Sequence, residues 1–225
     1  MKSPGNVQMD MSIKKGTYKR LFDLCLLFLA HVLLLPIWLV FWTLIPTAIW
    51  LEDRGPIFYK QRRAGKNSQI FVVRKFRTMV PDADLKGPAW TIPGDPRLTR
   101  VGKILRRTAL DELPELWSVL KGDMSFVGPR PLQEDEQSRL EEQIPGFRTR
   151  LMIRPGLTGL AQVYDPNDHA IDKLKFDLEY LERLSPSLDV KLIILSVLNS
   201  LGARWDHRTG KPQAADDVPS DSDVK

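Results

Sequence analysis

From Leu24 to Trp50 the chain carries no Lys, Arg, Asp or Glu and is dense in Leu, Val, Ile, Phe and Trp, a stretch long enough to span a bilayer. Both flanks are basic: Lys14, Lys15, Lys19 and Arg20 precede it, and Arg54, Lys60, Arg62, Arg63 and Lys66 follow. A crossing helix normally shows an imbalance, because Lys and Arg close to the membrane stay on the cytoplasmic side. Here both ends ask for the same side. Pro36 interrupts a regular helix and leaves roughly 12 apolar residues before it, about 18 Å of helix against the ~30 Å hydrocarbon core. A re-entrant helical hairpin that enters and leaves one leaflet satisfies both facts, and a Pro-kinked single crossing is the alternative. The stretch exceeds an h-region and has no small-x-small site after it, which argues against a cleaved signal peptide. Trp38, Trp42 and Trp50 read as interface anchors, and His31 as a neutral group facing a neighbouring helix or the headgroups.

Beyond the apolar stretch the periodicity changes. Pro56–Gln61 and Gln69–Phe76 are β-rich runs around a turn from Arg62 to Ser68 that holds Gly65 and Asn67, which predicts a hairpin. Arg74–Met79 alternates basic and other residues and suits either a strand with a solvated basic face or an anion-binding edge. Pro81–Pro96 reads as a mobile loop. Leu98, Val101, Ile104 and Leu105 recur at helical spacing among Arg97, Arg100, Lys103, Arg106 and Arg107, a helix whose last arginines point at Asp111. Pro114 belongs in a first helical turn and Gly122 marks a stop, so a helix is expected from about Asp111 to about Lys121 with Asp111 as its cap. Leu132–Gln143 reads as an acidic surface helix. Pro155–Gly159 reads as a turn with close backbone approach, and Ala170–Leu184 and Leu188–Leu201 as helices, the last suited to the core or to the membrane interface. The expected class is α+β, mostly helical, with a small β-hairpin and interfacial helices. The expected divisions are a basic N-terminal segment over 1–20, a re-entrant membrane helix over 21–51, a folded domain over 52–203 and a disordered tail over 204–225.

Charge narrows the partners. A net charge of +5 and a pI near 9.3 suit nucleic acid, lipid headgroups or a phosphorylated substrate. The single Cys25 excludes an internal disulfide and reads as a small buried hydrophobe. The sequence has no P-loop, Cys/His metal cluster, dinucleotide fingerprint or internal repeat. The notable chemistry is the adjacent pair Asp111 and Glu112 at an expected helix start, with Arg106 before it and Arg130 after it. Alone, such a pair is an N-cap with a neighbouring acid. Among arginines that can bind phosphate oxygens bidentately, it becomes a site for phosphate chemistry.

Three runs then carry a resemblance: Asp111-Glu112-Leu113-Pro114 with Lys121-Gly122-Asp123-Met124-Ser125-Phe126-Val127-Gly128-Pro129-Arg130-Pro131; Lys75-Phe76-Arg77-Thr78-Met79; and Arg154-Pro155-Gly156-Leu157-Thr158-Gly159. In this order, over about Lys14 to Leu201, the chain resembles the bacterial sugar transferases that act on polyprenyl phosphate. These are the monotopic phosphoglycosyl transferases of the undecaprenyl-phosphate glycosyl-1-phosphate transferase family. The resemblance implies transfer of a sugar-1-phosphate from a UDP-sugar to undecaprenyl phosphate with release of UMP, at the cytoplasmic face of a bacterial inner membrane. That is a first membrane step of exopolysaccharide, O-antigen, capsule or glycoprotein glycan synthesis. It further implies a re-entrant membrane helix, a Mg²⁺ requirement, Asp111 as a nucleophile that becomes covalently phosphorylated by the sugar phosphate, and Glu112 as its partner. Asp111 and Glu112 are the candidate metal ligands, with Glu112 either helping to bind Mg²⁺ or taking the acceptor's last proton. Lys75, Arg106 and Arg130 match basic positions and become the expected phosphate ligands. The implied partners are UDP-sugar, polyprenyl phosphate and membrane lipid rather than nucleic acid, and a homo-oligomer is compatible with the reading. The chain would be a minimal catalytic unit, with 52–203 its cytoplasmic catalytic domain. Leu35 stands before Pro36 where small members often have Ser, Leu160 where an aromatic is usual, and Tyr164-Asp165 where Asn-Gly is usual, which leaves the sugar open. A membrane-anchored basic binding module without catalysis and a hydrolase acting on phosphorylated lipids are the rival readings.

Overall fold

The computed structural model describes residues 18–87, 92, 94–165 and 169–201. Most of the basic segment expected over 1–20 and the tail expected over 204–225 lie outside the described residues.

The apolar stretch forms two helices, α1 (Lys19–Leu33) and α2 (Leu35–Asp53), separated at Leu34, whose φ of −107° and ψ of 20° leave the helical region. Pro36 sits in the first turn of α2, where its missing amide hydrogen costs no bond. The bend is filled from inside: the Trp38 indole N–H donates to the Ala30 carbonyl at 3.1 Å, and its ring stacks on His31 at 4.8 Å. In an unbroken helix residues 30 and 38 would lie about 12 Å apart along the axis, so these contacts require the bend. His31 also bonds the Leu27 carbonyl through Nδ1 at 2.8 Å, which places it among helix neighbours as expected. Phe28, Leu33 and Leu39, flanking the bend, are exposed. Cys25 is exposed too, not buried as expected. Among the described residues one helix, α2, is long and apolar enough to cross a membrane.

The far ends of both helices return to the folded body. Near the start of α1, the Arg20 guanidinium donates to the Val119 and Leu120 carbonyls at 2.7 Å each, and the Asp23 carboxylate accepts from Ser125 Oγ at 2.9 Å and Phe126 N at 3.1 Å. Near the end of α2, Ile45 and Ile49 pack with Phe76 and Leu105, Asp53 accepts from Arg77 at 2.7 Å, and Glu52 accepts from the Arg100 and Val101 amides at 2.6 and 3.1 Å. Glu52 and Thr99, whose Oγ1 accepts from Gly102 N, thereby cap α3 (Arg100–Arg107).

The hairpin is present as β1 (Phe58–Ala64) and β2 (Ile70–Phe76), antiparallel, with Tyr59 opposite Lys75 and Ala64 opposite Ile70. β1 extends three residues past the expected boundary because both arginines of the expected turn have partners in extended backbone. Arg62 pairs with Glu134 at 2.6 Å, and Arg63 donates to the Pro131 carbonyl at 2.9 Å. The turn tightens to Gly65–Gln69, with Asn67 and Ser68 at φ of 56° and 62°.

A second sheet replaces the expected turn at Pro155–Gly159: β3 (Ser125–Val127) runs parallel to β4 (Gly156–Thr158). The two glycine runs meet there. A Cβ on Gly156 would lie 2.1 Å from Gly128 N, so the close approach read from sequence is real. Against this sheet pack α6 (Leu160–Tyr164), α7 (Ala170–Arg183) and α8 (Pro186–Leu201), burying Val127, Ile153, Leu160, Tyr180 and Leu192. The acidic helix α5 (Glu134–Gln143) contributes Leu140 to a second cluster with Leu132, Ile144 and Phe147. On α8, Leu192 is buried while Ile194, Val197 and Leu198 are exposed. The described part of the Pro81–Pro96 loop holds a short 3₁₀ helix over Ala83–Leu85, and Arg97 donates to Asp95 at 2.7 Å and to the Ala83 carbonyl at 3.2 Å.

Candidate active site

Ala109 takes a left-handed conformation, φ 55°, immediately after α3, and swings the chain into a 3₁₀ helix over Leu110–Glu115 that continues as α4 (Leu116–Lys121) and stops at Gly122, φ 91°. The helix expected from about Asp111 to about Lys121 is present and starts one residue earlier, but Asp111 is not its cap. Ala109 occupies the cap position, and Asp111 lies inside the 3₁₀ turn without capping any amide. The tight turn at Ala109 frees the carboxylate from a backbone role and turns it inward, where Asp111 is 9% exposed.

β2 supplies the facing cation. The Lys75 ammonium donates to Glu112 Oε1 at 2.7 Å and lies 3.2 Å from Glu115 Oε1. Arg130, just after β3, donates to the same Glu112 oxygen at 2.8 Å. Of the residues expected from sequence, Lys75, Glu112 and Arg130 are thus bonded together, with Asp111 beside them. Arg106 bonds Thr78 Oγ1 at 2.9 Å, and its charge still acts on Asp111. Glu115 was missed. The signal was its spacing from Asp111 and Glu112, which brings three carboxylates round one helical turn.

The site divides its acids. Burial pushes the Asp111 carboxyl up to about 7, and the Glu112 charge adds to the rise while Lys75 and Arg106 oppose it. Burial would raise Glu112 as well, but Lys75 and Arg130 outweigh it and hold the carboxyl well below its usual range. Burial raises Glu115 against the opposing charge of Lys75. Lys75 itself, despite burial, is held above its ordinary value by Glu112 and Glu115. Neighbouring carboxyls pushed in opposite directions are what a reacting group and its fixed partner require.

Among the described residues, no group of three or more His, Cys, Asp or Glu side chains is arranged to enclose a metal unaided. Mg²⁺ does not need such a cage, since it is commonly held by one or two carboxylates with waters and substrate phosphates completing the shell. Asp111, which accepts no hydrogen bond from a described residue, and Glu112, whose Oε1 carries both cations, fit that mode. On the other face of the same segment lies a cavity of about 450 Å³, lined by Leu27, Trp42, Phe58, Pro114 and Trp117 and entered by Arg74.

Residues 14–203 match the family model described as bacterial sugar transferase. The chain is 38% identical over 184 residues to a protein of Aeromonas hydrophila named UDP-N-acetylgalactosamine-undecaprenyl-phosphate N-acetylgalactosaminephosphotransferase, covering 78% of this chain and 43% of that one. It is 39% identical over 196 residues to an undecaprenyl-phosphate glucose phosphotransferase of Komagataeibacter xylinus, covering 83% and 36%. It is 40% identical over 193 residues to the exopolysaccharide production protein PSS of Rhizobium leguminosarum bv. phaseoli, covering 81% and 94%. The chain thus spans less than half of the first two relatives and nearly all of the third. On the extent of these matches, the chain belongs to the bacterial sugar transferase family.

Proposed function

We propose that this chain transfers a sugar-1-phosphate from a UDP-sugar to undecaprenyl (polyprenyl) phosphate and releases UMP, through a covalent phosphosugar on Asp111. An Asp111 oxygen attacks the phosphorus that bears the sugar, and the bond to UMP breaks with its electron pair leaving on UMP. A phosphate oxygen of the lipid acceptor then attacks the same phosphorus, and the Asp111 carboxylate leaves. Two displacements let a soluble donor and a membrane acceptor use one site in turn. A carboxylate approaching a diphosphate meets like charge, so cations must face the developing charge. Arg130 and Lys75 supply two, and Arg106 stands behind them. Glu112, kept ionised, holds both cations in place. Mg²⁺, held by Asp111 and Glu112 with the diphosphate, would neutralise phosphate oxygens in the way such ions do. The single observation that carries the reading is the buried Asp111 carboxylate, without a hydrogen bond from any described residue, beside a Glu112 that holds two cations.

The test offers a panel of radiolabelled UDP-sugars with Mg²⁺ and undecaprenyl phosphate, and reads UMP and labelled lipid. Both are expected with at least one donor. The reading fails if no donor yields either, and sugar phosphate released to water without labelled lipid would make the chain a hydrolase instead.

The same proposal places the chain as a monotopic protein of the inner membrane, α1–α2 dipping into the cytoplasmic leaflet as a re-entrant hairpin. Support comes from the bend at Leu34, the exposed apolar residues around it, and the return of both outer ends to one body. Single cysteines placed at Arg20 and Arg54 in a Cys25→Ser background should both be blocked by reagent only when the cytoplasmic side is opened. Labelling from opposite sides would replace the hairpin with a crossing.

A further inference from the structure

The cavity beside Pro114 takes no part in the chemistry above. Its volume, about 450 Å³, falls in the ~300–1,000 Å³ range of small-molecule sites. Its walls come from both membrane helices, the hairpin and α4, and they are apolar apart from His31 and Arg74. His31 is already bonded to Leu27. Arg74, half-buried, has no hydrogen bond or ion pair with any described residue. Strand alternation explains this: neighbouring residues of β2 point to opposite faces, so Lys75 enters the carboxylate site and Arg74 enters the cavity. A half-buried guanidinium at the end of apolar walls is well placed to meet an anion, and its fork matches phosphate. Pro114 and Leu116 form the cavity wall on a segment that also carries Asp111, and Leu27 and Trp42 belong to the two helices whose apolar residues Phe28, Leu33 and Leu39 are exposed.

Resting on the transferase reading, we propose that this cavity receives the apolar chain of the lipid phosphate acceptor, with Arg74 drawing its phosphate to the edge of the segment that separates the cavity from Asp111. The chemistry required is that of a long hydrocarbon ending in a phosphate. The apolar walls take the first units of the chain and Arg74 the head. Arg74 then serves the second displacement only, since the donor reaction needs no lipid.

That division is the test. With full-length protein, Mg²⁺ and a labelled UDP-sugar but no lipid, Arg74→Ala should release UMP and load label on the protein as the wild type does. Transfer of that label to undecaprenyl phosphate should fall at least about tenfold, with the loss in KM for the acceptor, and Arg74→Lys should recover part of it. Trp42 and Trp117 line the cavity, so undecaprenyl phosphate in detergent should change intrinsic fluorescence saturably in the wild type and not in Arg74→Ala. Unchanged acceptor KM in Arg74→Ala overturns the proposal. So does an equal loss in both half-reactions, which would make Arg74 part of the donor site. An equal fluorescence response to phosphatidic acid also overturns it, since the cavity would then hold any anionic lipid. If wild-type protein releases no UMP with any donor, the transferase reading falls on that assay while the fluorescence titration still decides the cavity.

Discussion

Two buried groups of acids and bases hold this molecule together, and they are built differently. Where α1 meets α8, the fully buried Asp189 accepts from Lys19 at 2.9 Å, from Tyr18 at 2.7 Å and from Tyr180 at 2.6 Å, and Lys19 also donates to Tyr180 at 2.6 Å. Burial, then Asp189, pushes both phenols far above their usual range, so they remain donors. Every strong group there has its partner. In the candidate active site, three carboxylates face Lys75 and Arg130, both cations converge on Glu112, Glu115 shares only Lys75, and Asp111 accepts no bond from a described residue. The first arrangement is closed and can only resist change. The second leaves one buried carboxylate with no hydrogen bond from a described residue, its oxygens open to phosphorus or a cation.

The sharpest way to break this comparison is to remove one charge from each group without changing shape. Asp111→Asn should abolish both UMP release and labelling of the protein while leaving the melting temperature unchanged or higher, because a strained buried carboxyl has become a neutral amide. Asp189→Asn should do the reverse. It leaves Lys19 in a site where burial already lowers its pKa, a loss of about 3–5 kcal/mol and a fall in melting temperature on the order of 10 °C. Protein that still folds should turn over. Equal thermal losses in the two variants would erase the distinction, and wild-type turnover by Asp111→Asn would remove Asp111 from the reaction.

Much of this contrast could be read from sequence, for definite reasons. The apolar run with basic flanks and Pro36 gave the bent helix pair, since burial of a long uncharged segment and the missing proline amide leave few solutions. Lys75 and Arg130 are expected as phosphate ligands from the family resemblance, and the structure brings both to Glu112. The active-site turn was misread because its conformation depends on Ala109 at φ 55°, a left-handed non-glycine residue that no local preference announces. Asp111 looked like a cap when the structure needed no cap from it. The parallel pair β3 and β4 was hidden because strands of three residues have no measurable alternation, and only the tight approach of Gly128 and Gly156 betrays them. Closure of the Asp189 group depends on contacts more than 160 residues apart in the chain, which periodicity does not reach.

A milder change sharpens the comparison inside the active site itself. Glu115 lies against Lys75 but is assigned no bond to the donor, so Glu115→Gln should keep both half-reactions. Its charge is one of the causes that raise Asp111, whose carboxyl must be ionised to attack in the proposed reaction. In the wild type, kcat/KM for UMP release should therefore climb about tenfold per pH unit below roughly 7 and level off above it. Replacing Glu115 by Gln takes away a like charge and leaves Lys75 with one fewer carboxylate to neutralise it. Both effects make Asp111 easier to ionise, so the acid limb should move to lower pH while the plateau stays. The same amide exchange at a residue of the closed group has no such limb to move. A profile that stays in place would mean that Glu115 is already neutral when Asp111 titrates, and that the uncompensated charge belongs to the pair Asp111 and Glu112 alone.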